Sequence, residues 1–288
     1  MKERVRAFWQ EHPCGTKFSD AEIGTPIFFE RIEQHRYEKE WHIPAAAGFA
    51  GARGLKVLEI GCGLGTDGAW FARAGADYTG IDLTEASILL ARKRFELSGL
   101  TGEFHVADAE QLDFADESFD LVYSHGVLHH TPDIEAAVRE IHRVLRPGGR
   151  AIVMLYHRGS YNYRVGIRVL RRAGAGLLKS ERGIRVVHTL TGEPIDSLRE
   201  HAQLVRTNGS FSPADFLSQS TDGAGNPLAR VYSRREARAL FRDFRQVELR
   251  AYFLNKRFIP LVGKLLPRSI ESSLAARWGW HLWVYATR

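Results

Sequence analysis

Short apolar runs and amphipathic stretches alternate along the middle of the chain, and that order predicts its architecture. Leu55 to Ile60 reads as a buried strand, Thr66 to Ala74 as a helix, Ala76 to Asp82 as a second strand and Thr84 to Ser98 as a second helix. Glu103 to Ala107 predicts a third, shorter strand, and Phe119 to Ser124 a fourth. A helix is expected from Pro132, with Thr131 as N-cap and the proline at the first helical position, where its missing N–H costs nothing. It should stop before Pro147-Gly148-Gly149, and Ala151 to Tyr156 follows as a fifth strand. Alternation of this kind implies an α/β protein with a doubly wound, mainly parallel sheet and helices on both faces.

The pattern breaks after Tyr156 and later resumes. Residues 157–232 contain no convincing core strand; then Ser233 and Glu236, at capping-box spacing, open a helix that leads to strands at Arg245 to Leu254 and His281 to Thr287. The expected organisation is a helical N-terminal cap over 1–50, a core over 51–156 and 233–288, and an inserted substrate or lid region over 157–232. Neither an internal repeat nor a low-complexity tract interrupts it.

Charge changes the picture more than composition does. Residues 1–150 carry 17 Lys+Arg against 24 Asp+Glu, a net −7, and residues 151–288 carry 23 against 10, a net +13. A basic second half suits an acidic substrate, a phosphate-bearing lipid surface or nucleic acid, or serves only as a solvated face. No apolar run is long enough to span a bilayer, and Lys2, Glu3, Arg4 and Arg6 stand where a signal peptide would be apolar. Two cysteines, Cys14 and Cys62, are too few for a disulfide framework, so a cytoplasmic protein is expected.

Candidate chemistry begins between the first strand and helix, at Glu59-Ile60-Gly61-Cys62-Gly63-Leu64-Gly65-Thr66-Asp67-Gly68. Gly63, Gly65 and Gly68 fit the dinucleotide pattern, while Glu59 with Gly61, Gly63 and Gly65 fits an acidic loop with three alternate glycines. A diphosphate at the helix N-terminus would be opposed by Glu59 and Asp67. Flanking carboxylates suit a phosphate-free, cationic nucleoside, and S-adenosylmethionine, with its sulfonium and ammonium, is such a ligand. Asp82, ending the second strand, is placed to accept from ribose hydroxyls, and Asp108-Ala109-Glu110 after the third strand could recognise an adenine amino group.

These residues resemble class I S-adenosylmethionine-dependent methyltransferases, most like the branch of small-molecule and quinone-biosynthesis enzymes. The resemblance covers Leu55 to Tyr156 and rests on Val57 to Gly65, Gly80-Ile81-Asp82-Leu83, Ala107-Asp108-Ala109-Glu110, Phe119 to Val122, Val127-Leu128-His129-His130, and Arg143 to Gly149. It implies a seven-stranded Rossmann-like sheet with an antiparallel last strand. It also implies a donor site in which Glu59, Gly61, Cys62, Gly63 and Gly65 hold the methionine part and Asp82 with Leu83 the ribose. Asp108, Ala109 and Glu110 would hold the adenine, and His125 and Gly126 would wall the sulfonium.

Methyl transfer from a sulfonium depends on positioning and water exclusion, and a base is needed only where the acceptor sheds a proton. His129 and His130 are the first candidates to contact an acceptor, with His130 or His157 as general base. No metal is expected, although His125, His129, His130 and Asp133 lie close in sequence. Acceptor choice is expected from the additions: aromatic residues and Arg36 or Tyr37 of the cap, the turn-rich Thr221 to Pro227, and the segment 161–173. As an α-helix, 161–173 sets Tyr163, Val165, Ile167, Val169, Leu170 and Ala173 opposite Arg164, Arg168, Arg171 and Arg172. Such a helix is either a lid with its arginines in water or a peripheral contact with an anionic membrane. The expected acceptor is a small molecule with an oxygen or carbon nucleophile, lipid-linked or acidic, with no nucleic-acid partner. A nucleic-acid methyltransferase and a non-catalytic S-adenosylmethionine-binding protein are the alternatives.

Overall fold

In the computed structural model the described residues are 1–171, 176–191, 195–208, 217–218, 221–223, 225–256, 259 and 266–288. Seven strands form one sheet: β1 (Lys56–Ile60), β2 (Asp77–Asp82), β3 (Glu103–Val106), β4 (Phe119–His125), β5 (Leu145–Tyr156), β6 (Gln246–Tyr252) and β7 (His281–Thr287). Their order is β3-β2-β1-β4-β5-β7-β6. The first five are parallel neighbours, with Leu58 opposite Thr79 of β2 and Val122 of β4. They read as continuous apolar runs because helices cover a parallel sheet on both faces: Val57, Leu58 and Ile60 in β1, and Leu121, Val122 and Tyr123 in β4, are buried. The last strand runs antiparallel to its neighbours. Gly148 N–H donates to Arg288 O while His157 N–H donates to Trp280 O, and Arg245 N–H donates to Thr287 O while Trp280 N–H donates to Phe253 O.

The chain divides into two compact units. The first comprises residues 2–155, 236–249 and 283–288. Its N-terminal segment is helical, with α1 (Lys2–Glu11), α2 (Pro26–Lys39) and α3 (Ile43–Ala47). The crossovers are α4 (Thr66–Arg73), α5 (Glu85–Leu97) and α6 (Ile134–Val144). α6 buries Ile134, Ala137, Val138, Ile141 and Val144, the three-and-four spacing that fixes one face of a helix against a sheet. Its start differs from the expected one. The helix begins at Ile134 and its N-cap is Asp133, whose carboxylate accepts the Ala136 N–H at 2.9 Å, so Thr131 is not the cap and Pro132 precedes the helix. β5 likewise starts at Leu145, before the expected Ala151, because the ladder to β4 is interrupted by a register shift that accommodates Arg146 to Gly149.

The second unit comprises residues 156–235 and 250–282, with Met1. Its described residues between 157 and 232 are helical or irregular, with α7 (Glu181–Thr191) and α8 (Ile195–Asn208) packing Leu178, Ile184, Leu198 and Ala202 together. α9 (Arg234–Leu240) crosses the boundary between the units, and α10 (Arg268–Trp278) belongs to the second. Asn162–Arg171 is a π-helix, not the expected α-helix. Its wider turn changes which residues share a face: Asn162, Gly166 and Ile167 are buried, while Val169, expected on the apolar face, is 55% exposed beside exposed Arg168. Arg172 and Ala173 lie outside the described residues, as does Ala224 of the 221–227 turn. Within that turn Asp222 accepts from the Tyr156 hydroxyl at 2.6 Å, and Tyr156 stacks on Trp280.

Candidate donor site

β1 ends at Ile60 and the chain turns at once. Gly61, Gly63 and Gly65 have φ of +74°, +52° and +70°, a left-handed conformation that side chains disfavour. At Gly61 the requirement is also steric, since a Cβ there would stand 2.2 Å from Val127 Cγ2. Gly63 faces open space, for a Cβ on it would meet nothing within 4 Å. The loop spends its amides internally. Gly61 and Cys62 N–H both donate to Ile81 O, at 2.7 and 2.9 Å, Gly65 N–H donates to Cys62 O, and Gly63 N–H donates to Asp82 Oδ2 at 3.1 Å. A diphosphate cradle needs such N–H groups aimed at the ligand. Here these four are already committed.

Asp82 ends β2 and anchors this arrangement. Its Oδ1 accepts the Thr84 N–H at 3.0 Å and the Thr84 hydroxyl at 2.8 Å. Oδ2 takes Gly63 and keeps a lone pair of the kind a ribose hydroxyl can use. Burial pushes its pKa up, against the pull of the Thr84 and Gly63 hydrogen bonds. Cys62 is buried and its thiol pKa is raised by that burial and by Asp82 and Glu59, which makes it a packing residue and not a nucleophile.

Glu59 and Asp67, the two carboxylates that argue against a diphosphate, have different fates. Glu59 is 3% exposed and accepts the Tyr78 hydroxyl at 2.6 Å; burial, then Asp67, raise its pKa well above the ordinary carboxylate value. Asp67, in the first turn of α4, is bound by Arg36 through Nε at 2.8 Å and Nη2 at 2.6 Å, and by the Tyr37 and Tyr123 hydroxyls, each at 2.8 Å. Burial disfavours its charge, but Arg36 and the hydroxyls outweigh that and hold its pKa below the ordinary value. Arg36 and Tyr37 thus serve the core carboxylate. Anion repulsion at this helix start is therefore weaker than the bare sequence implies, and the committed amides carry the distinction.

Asp108 and Glu110, after β3, both lie 2.5 Å from the Lys2 ammonium of α1. Asp108 Oδ1 also accepts the Glu110 N–H, and Glu110 Oε1 the Asp133 N–H. Ala109, between those two carboxylates, and Leu83, next to Asp82, are half-buried. α1 also reaches the start of α5 and the segment after β4: Gln10 Oε1 accepts the Ala86 N–H at 3.3 Å, and the Trp9 ring meets the His130 ring edge-on at 5.5 Å.

The first unit brings His125, Gly126, His129 and His130 together after β4. His125 stands between Tyr123 and Trp283, and Gly126 has φ +81°. His129 is fully buried with its ring 4.4 Å from that of His130. His157 belongs to the second unit, where its Nδ1 meets Gly279 O at 2.9 Å and burial lowers its pKa. Among the described residues no group of three or more His, Cys, Asp and Glu forms a metal-ligand cluster. Tyr123 and Lys2 were not anticipated as site residues. A tyrosine inside an otherwise apolar buried strand was the available signal for the first, because a buried hydroxyl requires a partner; nothing local marked the second.

Residues 58–153 match a family model described as a methyltransferase domain. The chain is 38% identical over 135 residues to methyltransferase GfsG of Streptomyces halstedii, covering 46% of this chain and 45% of that protein. It is 39% identical over 132 residues to fatty-acid O-methyltransferase of Mycolicibacterium smegmatis, covering 45% and 47%. The chain thus spans about half the length of the curated relatives it matches. Among solved structures it resembles magnesium protoporphyrin IX methyltransferase from Synechocystis PCC 6803 with bound SAH, with a TM-score of 0.54, 16% identity and coverage of 100% and 99%, which bears on the fold alone. Residues 58–153 thus match a methyltransferase domain, and they lie on a sheet of order β3-β2-β1-β4-β5-β7-β6 whose first strand ends in a left-handed glycine turn.

Proposed function

We propose that the protein transfers a methyl group from S-adenosylmethionine to an oxygen or carbon nucleophile of a small molecule, lipid-linked or acidic. The observation that carries this reading is the glycine loop whose amides at 61, 62, 63 and 65 are committed to the protein, with the open face at Gly63 beside Asp82. That arrangement suits a nucleoside without a diphosphate. When bound, the donor supplies an electrophilic methyl on a sulfonium.

The chain's residues bind and orient. Glu59, Gly61, Cys62, Gly63 and Gly65 form the turn that receives the methionine part, Asp82 and Leu83 the ribose, Asp108, Ala109 and Glu110 the adenine, and His125 and Gly126 the wall beside the sulfonium. α1, which reaches the start of α5 and the segments after β3 and β4, excludes water from that crevice. His129 and His130 flank the acceptor side. His130 or His157 takes the acceptor proton where one must leave; His157, whose pKa is lowered by burial, stays neutral near pH 7 and is suited to accept one.

The acceptor class is supported by the relatives' names, one of which is a fatty-acid O-methyltransferase. Exposed Arg164 and Arg168 support a peripheral contact with an anionic lipid surface, and no described helix is long and apolar enough to cross a membrane. The protein should therefore pellet with anionic vesicles at low salt and be released by moderate salt; no pelleting at low salt removes that contact. Neither cysteine is bridged, which supports a cytoplasmic setting. The activity is tested by incubating cell extract with isotopically labelled S-adenosylmethionine and the enzyme. A labelled small molecule is expected; label only in nucleic acid, or none with donor bound, contradicts the reading.

A further inference from the structure

His125, at the end of β4, lies within reach of a buried cation. Arg36 Nη2 is 3.2 Å from His125 Nδ1 while the same guanidinium holds Asp67. A guanidinium offers five donors and no acceptor, and it does not give up its proton in proteins. Whatever faces it at Nδ1 must be a lone pair. The single proton of the neutral ring is then on Nε2.

The surroundings disfavour a second proton. Desolvation alone would weaken the Arg36 charge, but Asp67, with Glu40 behind it, holds its pKa well above the ordinary value. An imidazolium would set N–H against N–H and one positive charge 3.2 Å from another. Asp67 offers no relief, since its oxygens already take Arg36, Tyr37 and Tyr123. Aromatic rings also face it: Tyr123 of β4, stacked at 6.4 Å, and Trp283 of β7 at 5.2 Å, which in turn meets His42 at 5.9 Å. Glu40 lies 3.6 Å from the far side of the guanidinium, at Nη1.

We propose that Arg36 is a positioning residue that holds His125 as a neutral, Nε2-protonated ring, so that the end of β4 meets a cationic donor without a charge of its own. The role toward the donor rests on the reading of the site given above; the state of the ring does not. It follows that His125 is no general base through Nδ1, and that the α2 segment, remote in sequence from the glycine loop, sets the electrostatics of the donor wall.

Long-range 1H–15N spectra of histidine-labelled protein, assigned with His125→Gln, test the ring directly. The expected result is a protonated Nε2 and an unprotonated Nδ1 that do not change between pH 7 and pH 5.5. An Nδ1–H tautomer or an imidazolium in that range overturns the proposal, whether or not the donor binds. A second arm compares Kd for S-adenosylmethionine at pH 7 and pH 5.5, where the donor's amine stays protonated. Wild-type affinity should change by less than about twofold. In Arg36→Met/Asp67→Asn, which removes both charges together, no guanidinium opposes a proton on Nδ1, and affinity should fall severalfold at pH 5.5 relative to pH 7 as the neutral ring is depleted. S-adenosylhomocysteine, which lacks the sulfonium charge, should lose much less, and adding His125→Gln should abolish the pH dependence. A purely structural role of Arg36 predicts losses equal at both pH values and for both ligands, and that result also overturns the proposal. Wild-type protein that binds no donor would sink the methyltransferase reading and leave the spectra to decide the ring's state.

Discussion

Glu59 and Asp67 are separated by eight positions and titrate in opposite senses. Glu59 has a pKa raised by burial, so the folded state binds more protons than the unfolded one; its contribution to stability is complete below the unfolded value near 4.3 and is lost as pH rises through the folded value. Asp67, held low by Arg36, contributes above the ordinary carboxylate pKa and loses that contribution as pH falls through its folded value. Glu59→Gln keeps an acceptor for Tyr78 without the charge. Its melting temperature should exceed wild type at pH 8, and the gap should close as pH is lowered toward 4.5. A variant less stable than wild type by a constant margin contradicts this assignment. Glycine spacing and both acids were legible in the sequence, but not their partners, because Arg36 and Tyr123 come from 31 and 56 residues away.

The N-terminal helices α1 and α2 are attached by different physics. α2 is tied by Arg36 to Asp67 and by Glu33 to Arg94, which is 2% exposed and also donates to Phe29 O and Thr66 Oγ1, and these buried pairs cannot open without stranding a charge. α1 buries only Val5 among its residues and depends on Lys2, Gln10 and Trp9 for its reach. Lys2 is 38% exposed, so its ion pairs are worth under about 1 kcal/mol. Lys2→Ala should leave the melting temperature nearly unchanged and accelerate hydrogen exchange in α1, with α2 amides unaffected; equal acceleration in both helices contradicts the separation. Core strands were readable because parallel strands buried on both faces are continuous apolar runs. The start of α6 was not, since Thr131-Pro132 and Asp133 are both acceptable openings and only the carboxylate reaches Ala136. The 162–171 segment defeated a 3.6-residue period because its turns are wider.

Across the whole molecule, charge and chemistry divide along the chain. Residues 1–150 are acidic and contain the glycine turn, Asp82 and the Asp108 loop; residues 151–288 are basic and contribute the antiparallel end of the sheet and the helices α7 and α8. The methyltransferase match stops at residue 153, and sequence reasoning about the later additions was correspondingly limited to amphipathicity and charge. The proposed function requires the β1–α4 turn to receive a phosphate-free adenosine derivative. Calorimetric titration of the purified protein with S-adenosylmethionine and, separately, with NAD tests it most directly. Saturable one-to-one binding of S-adenosylmethionine, no heat with NAD, and loss of binding in Gly61→Val, whose side chain would collide with Val127, are predicted. Binding of NAD, or a silent titration with S-adenosylmethionine, would contradict it.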